Sequence, residues 1–259
     1  PTLWQSYREA RLRFVEGASV RFDTFPDYLG YEVIPVIWDC WPRYVDNMAR
    51  WFRKHHVRTA FFTSSQTAEH MRELCPQVNI FHLPEAIETE LYHAGKPLRE
   101  RSIDYLEFGR CSRILDSSLF DESVKVLSSR NERTGLATRS QLADALADSK
   151  ITLALTRLDN QPELAGGVDT LTQRYWECML SSVVILGRAP QELIDIIGYD
   201  PVVHLDLNHA NAQILDILEH IEDYQEQVDR NRQSALEHGD WKMRIRQMTG
   251  VMKELGYEV

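Results

Sequence analysis

Two carboxylates at a fixed interval, preceded by paired glycines, mark the stretch with the most chemical content: Gly166-Gly167, then Asp169-x7-Glu177. At about 3.6 residues per turn, a helix over roughly 171–180 carries Arg174 and Glu177 on one face together with Thr170. Leu171, Trp176 and Met179 are then left for a sheet. Both carboxylates would lie near one end of the following strand, Val183-Val184-Ile185-Leu186. So placed, they can accept hydrogen bonds from hydroxyls, one from a ribose diol and the other from a sugar. The spacing by itself also describes, and taken alone favours, a loop acid plus a surface glutamate on an ordinary αβ unit.

Other polar groups gather where predicted strands end. Gly109-Arg110 closes one strand with Arg113 just beyond, Thr156-Arg157 closes another, and Gly166–Thr172 forms a loop leading into a helix. Glycine lets the backbone approach a phosphate, a helix N-terminus offers N–H groups and a positive dipole, and arginine supplies bidentate charge. The set fits a diphosphate better than a metal cluster. Arg174 either faces a ligand or pairs with Glu177 one turn on. The chain has no H-E-x-x-H, G-x-S-x-G, Walker or G-x-G-x-x-G pattern. His55-His56 reads as solvated, and His204 with His209 as structural.

The elements that must hold these residues alternate. Residues 3–16 read as a helix and Ser19–Phe25 as a short strand. Glu32–Trp38 is a buried strand, Pro42 opens a helix to about 55, and Thr59–Thr63 is a strand. Ser64-Ser65 caps a helix over roughly 66–74, and Asn79–Leu83 is a further strand. Residues 84–102 lack periodicity and read as an interdomain crossing. A second series follows: strand Ile103–Phe108, helix near 112–120, strand Ser123–Ser128, helix 139–148, strand Ile151–Leu155, then the 166–192 block. Strand Val202–Leu205, helix 209–222 and an amphipathic helix Trp241–Leu255, stopped by Gly256, complete it. Alternation of this kind implies βαβ units and parallel sheets. Aromatics crowd the first quarter and cover either a small sheet or a surface used by an acceptor or partner.

At 259 residues the chain accommodates two modest domains. No run of about 18 apolar residues exists, which excludes a helical membrane span. A net charge of −10 argues against non-specific binding to nucleic acid or anionic membranes. Cys40, Cys75, Cys111 and Cys178 are scattered, as suits reduced thiols in the cytoplasm. The chain starts Pro-Thr-Leu-Trp, with no basic-then-apolar leader and no Met, so a processed or trimmed start is expected.

With these residues in order, the sequence resembles the GT-B glycosyltransferases, in particular the retaining, group 1/family 4-like enzymes. WECMLSSVVILGRAPQELIDIIG is similar to their nucleotide-binding motif, in which an acidic residue, seven others and a Glu precede a small-residue turn and an apolar strand. Here Asp169 stands where the first Glu is usual, and Ser181-Ser182 where a Gly is common. FHLPEAIETELY resembles the interdomain run, IDYLEFGR the first strand of the second domain with its Gly-Arg turn, and VIWDCWP the acceptor-domain strand that often ends in His-Asp. The lysine that usually follows the Gly-Arg turn is absent.

The resemblance implies a fold of two Rossmann-like α/β domains facing a cleft. It divides the chain into a short acceptor-side domain over 1–86, a nucleotide-sugar domain over 87–240, and a helix over 241–259 packing back towards the first. It implies transfer of a sugar, with retention and without metal, from a nucleotide-sugar donor to an unknown glycan, lipid-linked or protein acceptor. Asp169, Arg110 and Asp39 are the implied catalytic residues. Gly109, Arg110, Arg113, Arg157, Gly166, Gly167, Thr170, Arg174 and Glu177 are the implied donor-binding set. The alternative is a non-catalytic nucleotide-binding or protein-interaction module with a degenerate GT-B fold; a sugar-nucleotide epimerase is a third, less supported reading.

Overall fold

The computed structural model describes residues 9–109, 114–115, 117–129, 136 and 138–258. The chain runs through β1 (Ala10–Glu16), α1 (Val20–Asp23), β2 (Glu32–Trp38), α2 (Pro42–His55), β3 (Thr59–Phe62), α3 (Ser65–Leu74) and β4 (Asn79–His82). Then come β5 (Ile103–Glu107), β6 (Val126–Ser128), α4 (Arg139–Ala147), β7 (Ser149–Ala154), α5 (Arg157–Asn160), α6 (Pro162–Ala165) and α7 (Gln173–Leu180). It closes with β8 (Val184–Gly187), α8 (Gln191–Ile197), β9 (Val203–His204), α9 (Ala210–Glu219), α10 (Gln225–His238) and α11 (Trp241–Glu254). No helix among the described residues is long and apolar enough to cross a membrane.

Two compact units result. Unit 1 comprises Pro1–Glu85, Gln161–Leu171 and Arg244–Val259, and unit 2 comprises Ala86–Asn160 and Thr172–Met243. Each is built on a parallel sheet, β1-β2-β3-β4 in unit 1 and β6-β5-β7-β8-β9 in unit 2.

In unit 1 the spatial order of the strands equals their chain order. Right-handed crossovers that always step the same way put every connecting helix on one face. That face carries Val33 and Ile37 of β2 with Met48 and Phe52 of α2 and Met71 of α3. Side chains alternate along a strand, so Ile34 and Val36 point the other way, into a second cluster with Phe61, Leu83, Met248 and Met252. A parallel sheet needs both faces covered, and here α11 covers the second. Tyr257, just past this helix, donates its hydroxyl to Glu32 Oε1 at 2.6 Å and accepts from Thr59 at 3.0 Å. Tyr257→Phe removes both bonds and is expected to cost about 1 kcal/mol in chemical denaturation.

Local chemistry sets the helix ends. Pro42 occupies the first turn of α2, and His56 ends that helix in the left-handed region at φ 53. The Ser64 hydroxyl accepts from the Thr67 amide at the start of α3, and Thr138 with Gln141 forms a reciprocal capping box on α4.

In unit 2, α9 and the start of α10 give Ile214, Ile217 and Val228 to a core with Tyr105, Ile151 and Val184. Helices α4 and α7 pack against β7. Within α7, Tyr175, Trp176, Cys178, Met179 and Leu180 are buried.

Four expectations are corrected. Residues 10–16 form a strand, not part of a helix: Leu12 joins the α11-side core while Arg11 and Arg13 pair with the buried carboxylate of Asp27, a period of two. The earlier part of that expected helix lies outside the described residues. Ser19–Phe25 is not a strand, because the Phe22 and Asp23 amides donate to Ser19 O and the Thr24 amide to Val20 O, closing the turn of α1. Of the expected helix near 112–120, the described residues contain a 3-10 turn over Ser117–Leu119. The strand expected over Ser123–Ser128 shortens to β6, because the Val124 amide closes a turn on Asp121 O.

Candidate functional site

The strand order of unit 2 reverses between β5 and β7. The chain steps from β5 to β6 on one side, and later builds β7, β8 and β9 on the other. At such a switch the connections diverge and leave a crevice at the carboxyl ends of the strands. Two of the sequence-predicted strand ends flank it: Phe108-Gly109 after β5 and Thr156-Arg157 after β7.

Gly109 has φ +67, and a Cβ there would overlap the guanidinium of Arg174. The same guanidinium lies over the Phe108 ring, its carbon 4.8 Å from the ring centroid. Arg174, from the first turn of α7, is therefore laid along the end of β5, and a side chain at position 109 would displace it. One turn on, Glu177 Oε1 accepts a 2.8 Å hydrogen bond from the hydroxyl of Tyr92, a buried side chain. Burial holds the Glu177 carboxyl above its usual pKa; the Tyr92 bond, Arg174 and Arg139 act in the opposite direction. Burial, followed by the charge of Glu177, pushes the Tyr92 phenol far up, so its proton stays on the bond.

The surroundings are pinned. Tyr175 donates its hydroxyl to Arg188 O at 2.5 Å. Arg188 in turn binds Asp159 at 2.8 Å and the Thr156 hydroxyl at 3.0 Å, fixing the turn after β7. Arg157 opens α5 at that turn.

Unit 1 gathers a different part of the predicted set. Asp39 follows β2 with φ 48. It lines a small pocket with Thr63, Ser64, Thr67, Glu85 and Thr170. The loop holding Thr170 is held at Asp169 and lies close against the start of α2 at Gly166. The Asp169 amide donates to Gln66 Oε1 at 2.8 Å. At Gly166 (φ +57) a Cβ would stand 2.9 Å from Pro42 Cγ. Burial pushes the neighbouring Cys40 thiol up to about 12, which keeps it protonated and no nucleophile at neutral pH.

The predicted residues thus fall into two groups: Gly109, Arg157, Arg174 and Glu177 in unit 2, and Asp39, Gly166, Gly167, Asp169 and Thr170 in unit 1. Arg110 and Arg113 lie outside the described residues. The expectation that Thr170 shares a helix face with Arg174 and Glu177 is corrected. Thr172 is extended at φ −122 and ψ 157, so α7 begins only at Gln173. Asp169 likewise belongs to the unit opposite in the chain's division from β8, the strand it was expected to serve. Tyr92, Arg139 and Gln66 were missed. Tyr92 closes the FHLPEAIETELY run, but nothing in its spacing points at Glu177, 85 positions away.

Two units, each on a parallel sheet, with polar strand ends at the switch point of the second, make up a fold of the GT-B type. No protein-family model and no curated protein matches the sequence. Among solved structures the chain is similar to sucrose-phosphate synthase from Thermosynechococcus elongatus, with a TM-score of 0.64 and 10% identity over 94% of this chain and 73% of that one. It is also similar to TarM, with a TM-score of 0.58 and 12% identity over 92% of this chain and 54% of that one. A glycosyltransferase from Rickettsia africae ESF-5 aligns over 97% of this chain and 100% of that one, at 10% identity and a TM-score of 0.44. The chain spans little more than half the length of TarM. At these identities the likeness is one of fold.

Proposed function

We propose that the chain is a glycosyltransferase whose unit 2 binds the nucleotide part of a nucleotide-sugar donor. The observation that carries this reading is the array of Phe108, Gly109, Arg174, Glu177 and Tyr92 at the switch point of a Rossmann-like sheet in a GT-B fold. In this reading Glu177 accepts from the ribose hydroxyls. Arg174 meets the diphosphate, with the Gly109 turn and with Arg110, Arg113 and Arg157 contributing. The Gly166-Gly167 backbone, Asp169 and Thr170 serve the donor sugar, and Asp39 serves the acceptor side. As the bond to the sugar breaks, negative charge grows on the leaving diphosphate, where fixed guanidinium groups stabilise it. That diphosphate takes the acceptor proton, the sugar keeps its anomeric configuration, and no metal or further cofactor is needed. Among the described residues Cys40, Cys75 and Cys178 are buried and joined in no disulfide, which favours a cytoplasmic setting.

Incubation with a panel of nucleotide sugars, followed by chromatography, tests the reading: slow release of free sugar from one donor is expected. The four strands that the described residues give the first sheet favour one competing reading, a binding module with a degenerate acceptor half. Nucleoside diphosphate affinity without turnover of any donor would support that module instead. Gly109→Ala isolates the phosphate part. By displacing Arg174 it is expected to weaken a nucleoside diphosphate about tenfold, one charge-assisted bond. Titration of the bare nucleoside in the same calorimeter should give an unchanged affinity.

A further inference from the structure

The segment between β1 and β2 carries three large apolar side chains in the open: Phe22 is 79% exposed, Phe25 59% and Leu29 61%. They are neighbours. The Phe25 amide donates to Phe22 O, and the Phe25 ring lies 6.0 Å from that of Tyr28, next to Leu29. Tyr28 rests on α2, its ring 4.4 Å from His55. This end of α2 is basic, with exposed Arg53, Lys54 and His56 around half-buried His55. Besides burial, Lys54, His56 and Arg21 all act against a proton on His55, so Arg21 belongs to the same positive field as the end of α2.

Of the acids in this segment Asp27 is neutralised by pairing, and exposed Asp23 is outnumbered by exposed Arg21, Arg53 and Lys54. Asp27 is buried in its ion pairs with Arg11 and Arg13. Asp23 accepts from the Glu16 amide at 3.1 Å and the Ser19 hydroxyl at 2.5 Å. A chain with a net charge of −10 therefore presents a locally cationic face, rimming exposed aromatics. Charges are screened beyond about 10 Å, so a partner at this face responds to the patch and not to the total.

We propose that this face docks on an anionic lipid surface, the aromatics entering the headgroup boundary while Arg21, Lys54 and His56 meet lipid phosphates. An apolar cluster bordered by Lys and Arg is the chemistry of a protein lying on a membrane. Charge complementarity selects an anionic surface over an uncharged one.

The full chain should co-sediment with phosphatidylcholine vesicles containing phosphatidylglycerol, far less with phosphatidylcholine alone, and progressively less as salt is added. Arg21→Gln with Lys54→Gln should weaken binding roughly thirtyfold, two local charges. Phe22→Ser with Phe25→Ser should abolish it. All four positions are exposed, so an unchanged melting temperature will show that the variants are folded. Absence of sedimentation, equal sedimentation with uncharged vesicles, or binding indifferent to both double substitutions would overturn the proposal. So would self-association in the ultracentrifuge that the phenylalanine pair abolishes, or retention on heparin lost with the charge pair while vesicle binding persists.

Discussion

Glu177→Ala is expected to weaken binding of a nucleoside diphosphate about a hundredfold, the worth of a charged acceptor lost to hydroxyl donors. It should also lower stability. Tyr92 is buried and spends its proton on Glu177. An orphaned buried hydroxyl costs about 1–3 kcal/mol. Two effects in one variant can be separated. Tyr92→Phe combined with Glu177→Ala removes the orphan, so the melting temperature should recover while the affinity does not. Recovered affinity in the double variant would refute a direct role for the carboxylate.

The raised pKa of Glu177 adds a pH signature. The carboxylate is the form that accepts from two hydroxyls. Affinity should therefore fall on acidification, and at a higher pH than an exposed glutamate would require. Glu177→Gln should flatten that limb in a calorimetric pH series. The stability contribution has the opposite sense. A group whose pKa is raised by folding contributes fully below its unfolded pKa and loses that contribution as pH rises through its folded one. Ionisation of Glu177 therefore gives up some stability where ligand binding needs the charge, a trade common at functional sites.

Arg101→Met should be the most destabilising of these changes, by about 4 kcal/mol. The Arg101 side chain is 3% exposed and its guanidinium is shared among main-chain carbonyls. It binds Lys96 O at 2.9 Å, Ser149 O at 2.8 Å, Ser181 O at 3.2 Å and also Ala94 O. Methionine fills the space but leaves these acceptors without a donor. The expected fall in Tm is roughly 10 °C by scanning calorimetry. Arg101→Lys should recover little, since one ammonium cannot reproduce a planar fork. Burial lowers the Arg101 pKa to about 10, which still leaves it charged at neutral pH. Because Ser181 caps the end of α7, nucleotide affinity should weaken along with stability.

How much of this could be read from residues alone varied with the reach of the forces involved. The strands of both sheets were legible where short apolar runs end in turn residues, as at Glu32–Trp38 with Pro42 beyond it. Helix α7 was legible from the spacing of Arg174 with Glu177 and of Trp176 with Met179, although Leu171, expected to join them, lies before its start. The reading failed where a local pattern had two periods. ARLRFVE suits a helix until Asp27, 14 and 16 positions on, recruits both arginines to one face. Within the candidate site, Gly109, Arg174 and Glu177 were legible as types at strand and helix ends. Their shared geometry was not, since it depends on a ring beneath a guanidinium and on Tyr92, far back in sequence. Gln66 holding the amide of Asp169 spans 103 positions, beyond what periodicity can encode.

The monotonic strand order of unit 1 has a consequence for how the chain is made. Residues 9–82 of that sheet emerge early, yet Met248 and Met252, which cover its second face, are translated only after the whole of unit 2. Ile34, Val36 and Phe61 thus wait for the cover that Met248 and Met252 give them while more than a hundred later residues are added. Unit 1 cannot complete its packing until α11 is made, after unit 2, so its nascent sheet is the part of the chain expected to need shielding during synthesis.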